Sequence, residues 1–115
     1  MKTAIIGSRN IKKIDFSIIN NEITLIISGG AIGVDTLAKE FATQNKIPIL
    51  EIKPNYEKYH FKQAPIIRNY EIVNNSDIVY AFWDNKSKGT LSVINYAKKI
   101  NKKIIIVNTE TTPNE

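Results

Sequence analysis

The 115-residue chain contains no cysteine, which excludes disulfides and thiolate metal sites. Its only histidine is His60, so neither a histidine-built zinc site nor a histidine-based catalytic triad is expected, and no metal ligands are assigned. No apolar run approaches the ~20 residues of a membrane span, so no membrane partner is expected. The apolar part of residues 1–7 is too short for a signal peptide and reads as a first strand. These absences fit a cytoplasmic protein. Arginine is scarce as well: of 16 basic residues only Arg9 and Arg68 are arginine. Lysine serves wherever a general positive charge suffices. A guanidinium offers the planar fork that grips phosphate with two parallel hydrogen bonds.

A hydrophobic fraction of 43% with clear apolar runs describes a folded domain with its own core. The length suits one domain, residues 1–108, with a polar tail over 109–115. The formal net charge of +5 permits a polyanionic partner such as nucleic acid. The lysines are scattered, however. Those at 98, 99, 102 and 103 cluster where cations favour a helix C-terminus.

Apolar patterning alternates between strand and helix. Strands are expected at 3–7, 23–28, 47–52, 77–83 and 103–107, and helices at 33–44, 64–74 and 90–100. A shorter helix is expected over 15–20, capped by Asp15. Helix 64–74 is expected to turn Ile66, Ile67, Tyr70 and Val73 inward, and helix 90–100 Leu91, Ile94 and Ala97. The second, fourth and fifth strands are nearly continuous β-branched runs, as in strands covered on both faces. Such alternation gives a parallel α/β sheet with right-handed crossovers, here a Rossmann-like three-layer sandwich of strand order 3-2-1-4-5. That order reverses between strands one and four. Ligands bind at such a switch point, beyond the carboxyl ends of the strands.

Three loops converge on that edge. Gly7-Ser8-Arg9-Asn10 follows strand one. Ser28-Gly29-Gly30-Ala31-Ile32-Gly33-Val34-Asp35 joins strand two to a helix, where glycines let backbone N–H groups approach an anion and the helix start adds unpaired donors. Trp83-Asp84 followed by Ser87-Lys88-Gly89-Thr90 repeats that logic after strand four, with Thr90 or Ser87 as cap or phosphate ligand. Asp35 either binds a ribose hydroxyl or only complements the helix dipole. Trp83 is either core or a platform for a ring. Asp84 can bond a sugar, act as a base, or simply start a turn. In a fourth segment, Pro65 suits the first turn of a helix whose Arg68 and Asn69 can reach phosphates. Tyr56, Tyr59 and Phe61 either stack on a base or seal the core edge.

With these residues the chain resembles the SLOG superfamily of Rossmann-like domains, named for the Smf/DprA proteins and the LOG phosphoribohydrolases, and within it the YspA/YpsA-related branch. The likeness is carried by Ile6-Gly7-Ser8-Arg9, the 28–35 segment, Ala64-Pro65 with Arg68-Asn69, Ser76-Asp77, and Ala81-Phe82-Trp83-Asp84 with Ser87-Lys88-Gly89-Thr90. It implies binding of nucleotides or nucleotide-derived signals such as NAD or ADP-ribose derivatives, and a homo-oligomer. The LOG enzymes carry a Pro-Gly-Gly-x-Gly-Thr-x-x-Glu element. This chain matches its Gly-Thr with Gly89-Thr90 and has Val93 at the glutamate position.

The first expectation is therefore a stand-alone domain that senses or sequesters a nucleotide, with no required cofactor. Its ligand contacts are Gly7, Ser8, Arg9, Ser28, Gly29, Gly30, Gly33, Asp35, Tyr56, Arg68, Asn69, Trp83, Asp84, Ser87, Gly89 and Thr90. One alternative is a nucleoside-monophosphate N-glycosidase with Asp84 and Asp35 as its catalytic carboxylates. Another is a DprA-like binder of single-stranded nucleic acid.

Overall fold

Alternating side chains along each strand divide the core into two halves, one on each side of a single sheet. The computed structural model describes residues 1–30 and 33–109. Its strands are β1 (Lys2–Gly7), β2 (Leu25–Ser28), β3 (Ile49–Glu51), β4 (Ile78–Trp83) and β5 (Lys103–Asn108). The helices are α1 (Val34–Gln44), α2 (Ala64–Asn74) and α3 (Lys88–Lys99). All strand pairs are parallel, in the order β3-β2-β1-β4-β5, the topology expected from the sequence. On one face Ala4, Ile6, Ile27, Val79 and Ala81 pack with Ile72 and Val73 of α2 and Val93, Ile94 and Ala97 of α3. On the other, Ile5, Ile26, Ile78, Tyr80 and Phe82 pack with Val34, Ala38 and Ala42 of α1. The period of two in a strand thus sends neighbouring residues to opposite layers.

Helix ends aim the chain back at the sheet. Lys46 (φ 55°) and Asn101 (φ 59°) take left-handed conformations just past α1 and α3. Ile47 N–H then donates to Ala42 (2.9 Å) and Lys102 N–H to Ala97 (2.8 Å), satisfying carbonyls of the last helical turns.

Several expectations are corrected. The 15–20 helix is a single 3-10 turn, Phe16–Ile18, although Asp15 does cap it through Ser17 N–H (3.0 Å). The second and third strands are shorter than expected, and α3 starts two residues earlier because Ser87 is its N-cap. In α2 the buried residues are Ala64, Ile72 and Val73, while Ile66 and Tyr70 are exposed. Leu91 of α3 is exposed too. β5 is an edge strand whose β-branched run does meet both halves of the core, Ile104 and Ile106 on one face and Ile105 and Val107 on the other, each only partly buried. Residues 31–32 of the glycine segment and 110–115 of the expected tail lie outside the described residues. Among the described residues no helix is long and apolar enough to cross a membrane.

Candidate functional site

Parallel strands bring their carboxyl ends to one edge, and between β1 and β4 the connections diverge to opposite sides. A cavity of about 320 Å3 opens there. Ile6, Ile72 and Val93 form an apolar floor. Around it stand Gly7 and Arg9 after β1, Gly29 after β2, and Asp35 in the first turn of α1. Arg68 and Asn69 come from α2, and Ser87, Gly89 and Thr90 from the start of α3. Nine of the sixteen expected ligand contacts thus share one cavity.

Arg68 is held in place by its neighbours. Its Nη1 donates to the Gly29 carbonyl (3.1 Å) and its Nε to Asn69 Oδ1 (2.9 Å). Partial burial pulls the guanidinium's pKa below its ordinary value, while Asp35, and then Tyr56, act to raise it. An arginine so placed stays a cation at neutral pH. A Cβ on Gly29 would lie 2.9 Å from Arg68 Nη1 and 3.1 Å from Asp35 Oδ2. A side chain at Gly29 would therefore have to push aside the ends of the Arg68 and Asp35 side chains.

The start of α3 is built by its cap. Ser87 Oγ accepts from Thr90 N–H (3.4 Å) and Thr90 Oγ1 donates to Ser87 Oγ (3.2 Å). Both residues also line the cavity. No Cβ contact opposes a side chain at Gly89, so the wall there is open backbone.

The remaining seven expected contacts sit apart from the cavity lining. Ser8 is buried and joins two loops: its N–H donates to Phe82 O (3.0 Å) and its Oγ accepts from Asp84 N–H (3.1 Å). Ser28 Oγ accepts from Gly30 N–H (3.4 Å). Gly30 is exposed beside Glu51. Gly33 caps α1 at φ 80°, where a Cβ would stand 2.5 Å from Arg9 O. Tyr56 is 60% exposed and, like the exposed Phe61, does not seal the core. Trp83 packs against the α2–α3 half of the core and donates from Nε1 to Ser87 O (3.0 Å). Asp84 Oδ1 accepts from Ser87 N–H (2.7 Å) and Lys86 N–H (2.8 Å), the turn-starting role. Those bonds, the one from Ser87 foremost, hold the carboxylate below its usual pKa.

Of the two carboxylates expected to do chemistry, the cavity is therefore lined by Asp35 and not by Asp84. Ile6, Ile72 and Val93 were not foreseen as cavity residues, because at their positions core and cavity floor share one hydrophobic pattern. Among the described residues no group of three or more His, Asp or Glu side chains is placed to hold a metal ion. Comparison of the chain with protein-family models, with curated proteins and with solved structures finds no match to any of them.

Proposed function

We propose that the protein binds a nucleotide or nucleotide-derived signal in the cavity between α1, α2 and α3, as a stand-alone sensing or sequestering domain. The observation that carries this reading is the tethered Arg68 guanidinium facing the same cavity as the Ser87–Thr90 cap. The first N–H groups of a helix have no partner within the helix, and a guanidinium adds a fixed positive fork; together they suit a phosphate. The apolar floor of Ile6, Ile72 and Val93 suits the flat face of a base. Asp35 suits a ribose hydroxyl. A volume of about 320 Å3 lies at the small end of ligand pockets, ~300–1,000 Å3, and favours a mononucleotide-sized group. The same residues support the resemblance to the SLOG superfamily.

Calorimetric titration with AMP, ADP-ribose and NAD tests the reading. Binding of at least one is expected, weakened roughly tenfold by Arg68→Lys, since lysine cannot reproduce the fork. Absence of heat with all three at millimolar concentration contradicts it.

A second reading, cleavage of the N-glycosidic bond, is favoured by the position of Asp35, a carboxylate beside Arg68 in the cavity wall. A carboxylate there can stabilise positive charge developing on the sugar. Chromatography of AMP after prolonged incubation separates the two: release of adenine that Asp35→Asn abolishes supports cleavage, and intact AMP rejects it.

A further inference from the structure

α3 carries two kinds of face. Val93, Ile94 and Ala97 pack into the core beneath it. On its outer side Lys88, Leu91, Asn95 and Lys99 recur at helical spacing, and all four line a groove of about 460 Å3 shared with α2. From α2 comes Tyr70, stacked on Tyr96 of α3 with ring centroids 4.2 Å apart. Tyr96 OH donates to Asn74 Oδ1 (2.8 Å), which ties the ring pair back to α2. Tyr70 is 38% exposed and Leu91 36%. A lone exposed apolar residue is ordinary. A fixed aromatic pair and a leucine around one groove, rimmed by charge, mark a contact surface.

The charge on that rim has one sign. Lys88 and Lys99 are the first and last residues of α3. At a rise of ~1.5 Å per residue they stand about 16 Å apart along its axis. Among the described residues neither makes an ion pair. No carboxylate lines the groove: α3 has none, and Glu71, the only one on α2, is not part of the lining. A second copy docked groove to groove would therefore bring lysine against lysine. Single-stranded nucleic acid needs a track of cations along its backbone and open ring faces for its bases. The groove offers two cations, and its two rings cover one another. A peptide with an apolar middle and a carboxylate towards each end matches both the rings with Leu91 and the two lysines.

We propose that the groove between α2 and α3 docks an acidic peptide segment, helical over about three turns, whose apolar side covers Tyr70 and Leu91 and whose carboxylates pair with Lys88 and Lys99. The groove is separate from the carboxyl-edge cavity. Within the first turn of α3, Gly89 and Thr90 line the cavity while Lys88 and Leu91 line the groove. Docking here stands whatever the cavity binds.

The experiment selects random peptides of about 12 residues, long enough to span the two lysines as a helix, displayed on phage against the full chain. Enriched peptides are then measured by fluorescence anisotropy. They are expected to combine apolar residues at helical spacing with Asp or Glu towards both ends. Lys88→Glu/Lys99→Glu should weaken their binding by at least about tenfold, and Leu91→Ser by a similar factor, with the fold of each variant checked by circular dichroism. Exchanging the peptide's own carboxylates for lysine needs no variant: it should abolish binding to the wild type and restore it to Lys88→Glu/Lys99→Glu. No enrichment, enriched peptides without acidic residues, or affinity unchanged by the peptide's charge would overturn the proposal. Oligothymidylate binding that Lys88→Glu/Lys99→Glu removes would overturn it in favour of nucleic acid. A dimer in sedimentation that Leu91→Ser dissociates would overturn it in favour of a second copy.

Discussion

The two edges of the sheet spend their polar groups differently. At the amino edge a set of polar groups is turned onto the chain itself. Tyr80 OH donates to Asn21 Oδ1 (2.8 Å), and Asn21 Nδ2 to Thr3 Oγ1 (3.1 Å). Lys2 N–H donates to Asp77 Oδ2 (2.8 Å), Asp77 N–H to Lys2 O (2.7 Å), and Lys102 Nζ to Ser76 O (2.6 Å). These bonds fasten the long β1–β2 connection and both ends of α2–β4 to the sheet. At the carboxyl edge Arg9, Arg68, Ser87 and Thr90 surround a cavity, over backbone kept bare by Gly7, Gly29 and Gly89. One edge closes the fold; the other also ties its groups to the chain, Arg68 to Gly29 and Thr90 to Ser87, but does so around a cavity.

Glycine substitutions give the largest test of that contrast. Gly7 serves packing: a Cβ there would strike Phe82 O and stand 2.5 Å from Val34 Cγ2. Gly7→Ala is expected to lower unfolding free energy by about 3 kcal/mol, the upper end for an overpacked site. Gly89→Ala, with nothing opposing its Cβ, should change stability by no more than about 1 kcal/mol, in the stabilising direction expected within a helix. Chemical denaturation checks both, and equal losses would erase the distinction.

Next comes Arg68→Lys. A roughly tenfold loss of nucleotide affinity is about 1.4 kcal/mol, and little change in melting temperature should accompany it. A fall in melting temperature without loss of binding would move Arg68 to the structural side of the comparison. At the opposite edge, Tyr80→Phe removes the donor to Asn21 and should cost about 1 kcal/mol while leaving affinity intact. Reduced binding in that variant would show the edges to be coupled.

The smallest effect concerns pH. The Ser87 N–H bond, with Lys86 N–H and the Ser8 and Asn10 side chains, lowers the Asp84 pKa in the folded protein. Its contribution is therefore present above the unfolded value of about 3.9, and is lost as pH falls through the lower folded value. Asp84→Asn should melt slightly below the wild type at pH 7, with the gap closing in acid below that value. A gap that persists in acid would mean that the turn depends on shape alone.

Strand order and layering were legible because short apolar runs alternate with turn residues and segments of helical spacing along the chain. The inward face of α2 was not. Its apolar residues cover more than one side, and periodicity alone does not say which side meets the sheet. Ile66 and Tyr70 fit a stripe but face outward, where Tyr70 stacks on Tyr96 at 4.2 Å between ring centroids. In the site, the two arginines that stood out by their scarcity, Arg9 and Arg68, both line the cavity. Ser8 and Asp84 carried the same loop signals, yet their groups bind neighbouring loops, a partnership set by the contact of β1 with β4. Val93 read only as a departure from a hydrolase motif; in the fold it packs in the α2–α3 half of the core and also lines the cavity.

The central claim is that the carboxyl edge, between Arg68 and the start of α3, receives an anionic nucleotide. Backbone amide chemical shifts recorded by nuclear magnetic resonance during titration with AMP test it most directly. Saturable shifts at Gly29, Arg68, Gly89 and Thr90, with Asn21 and Asp77 unmoved, are predicted. Shifts confined to the outer α2–α3 face around Tyr70 and Leu91, or none at any residue, would contradict it.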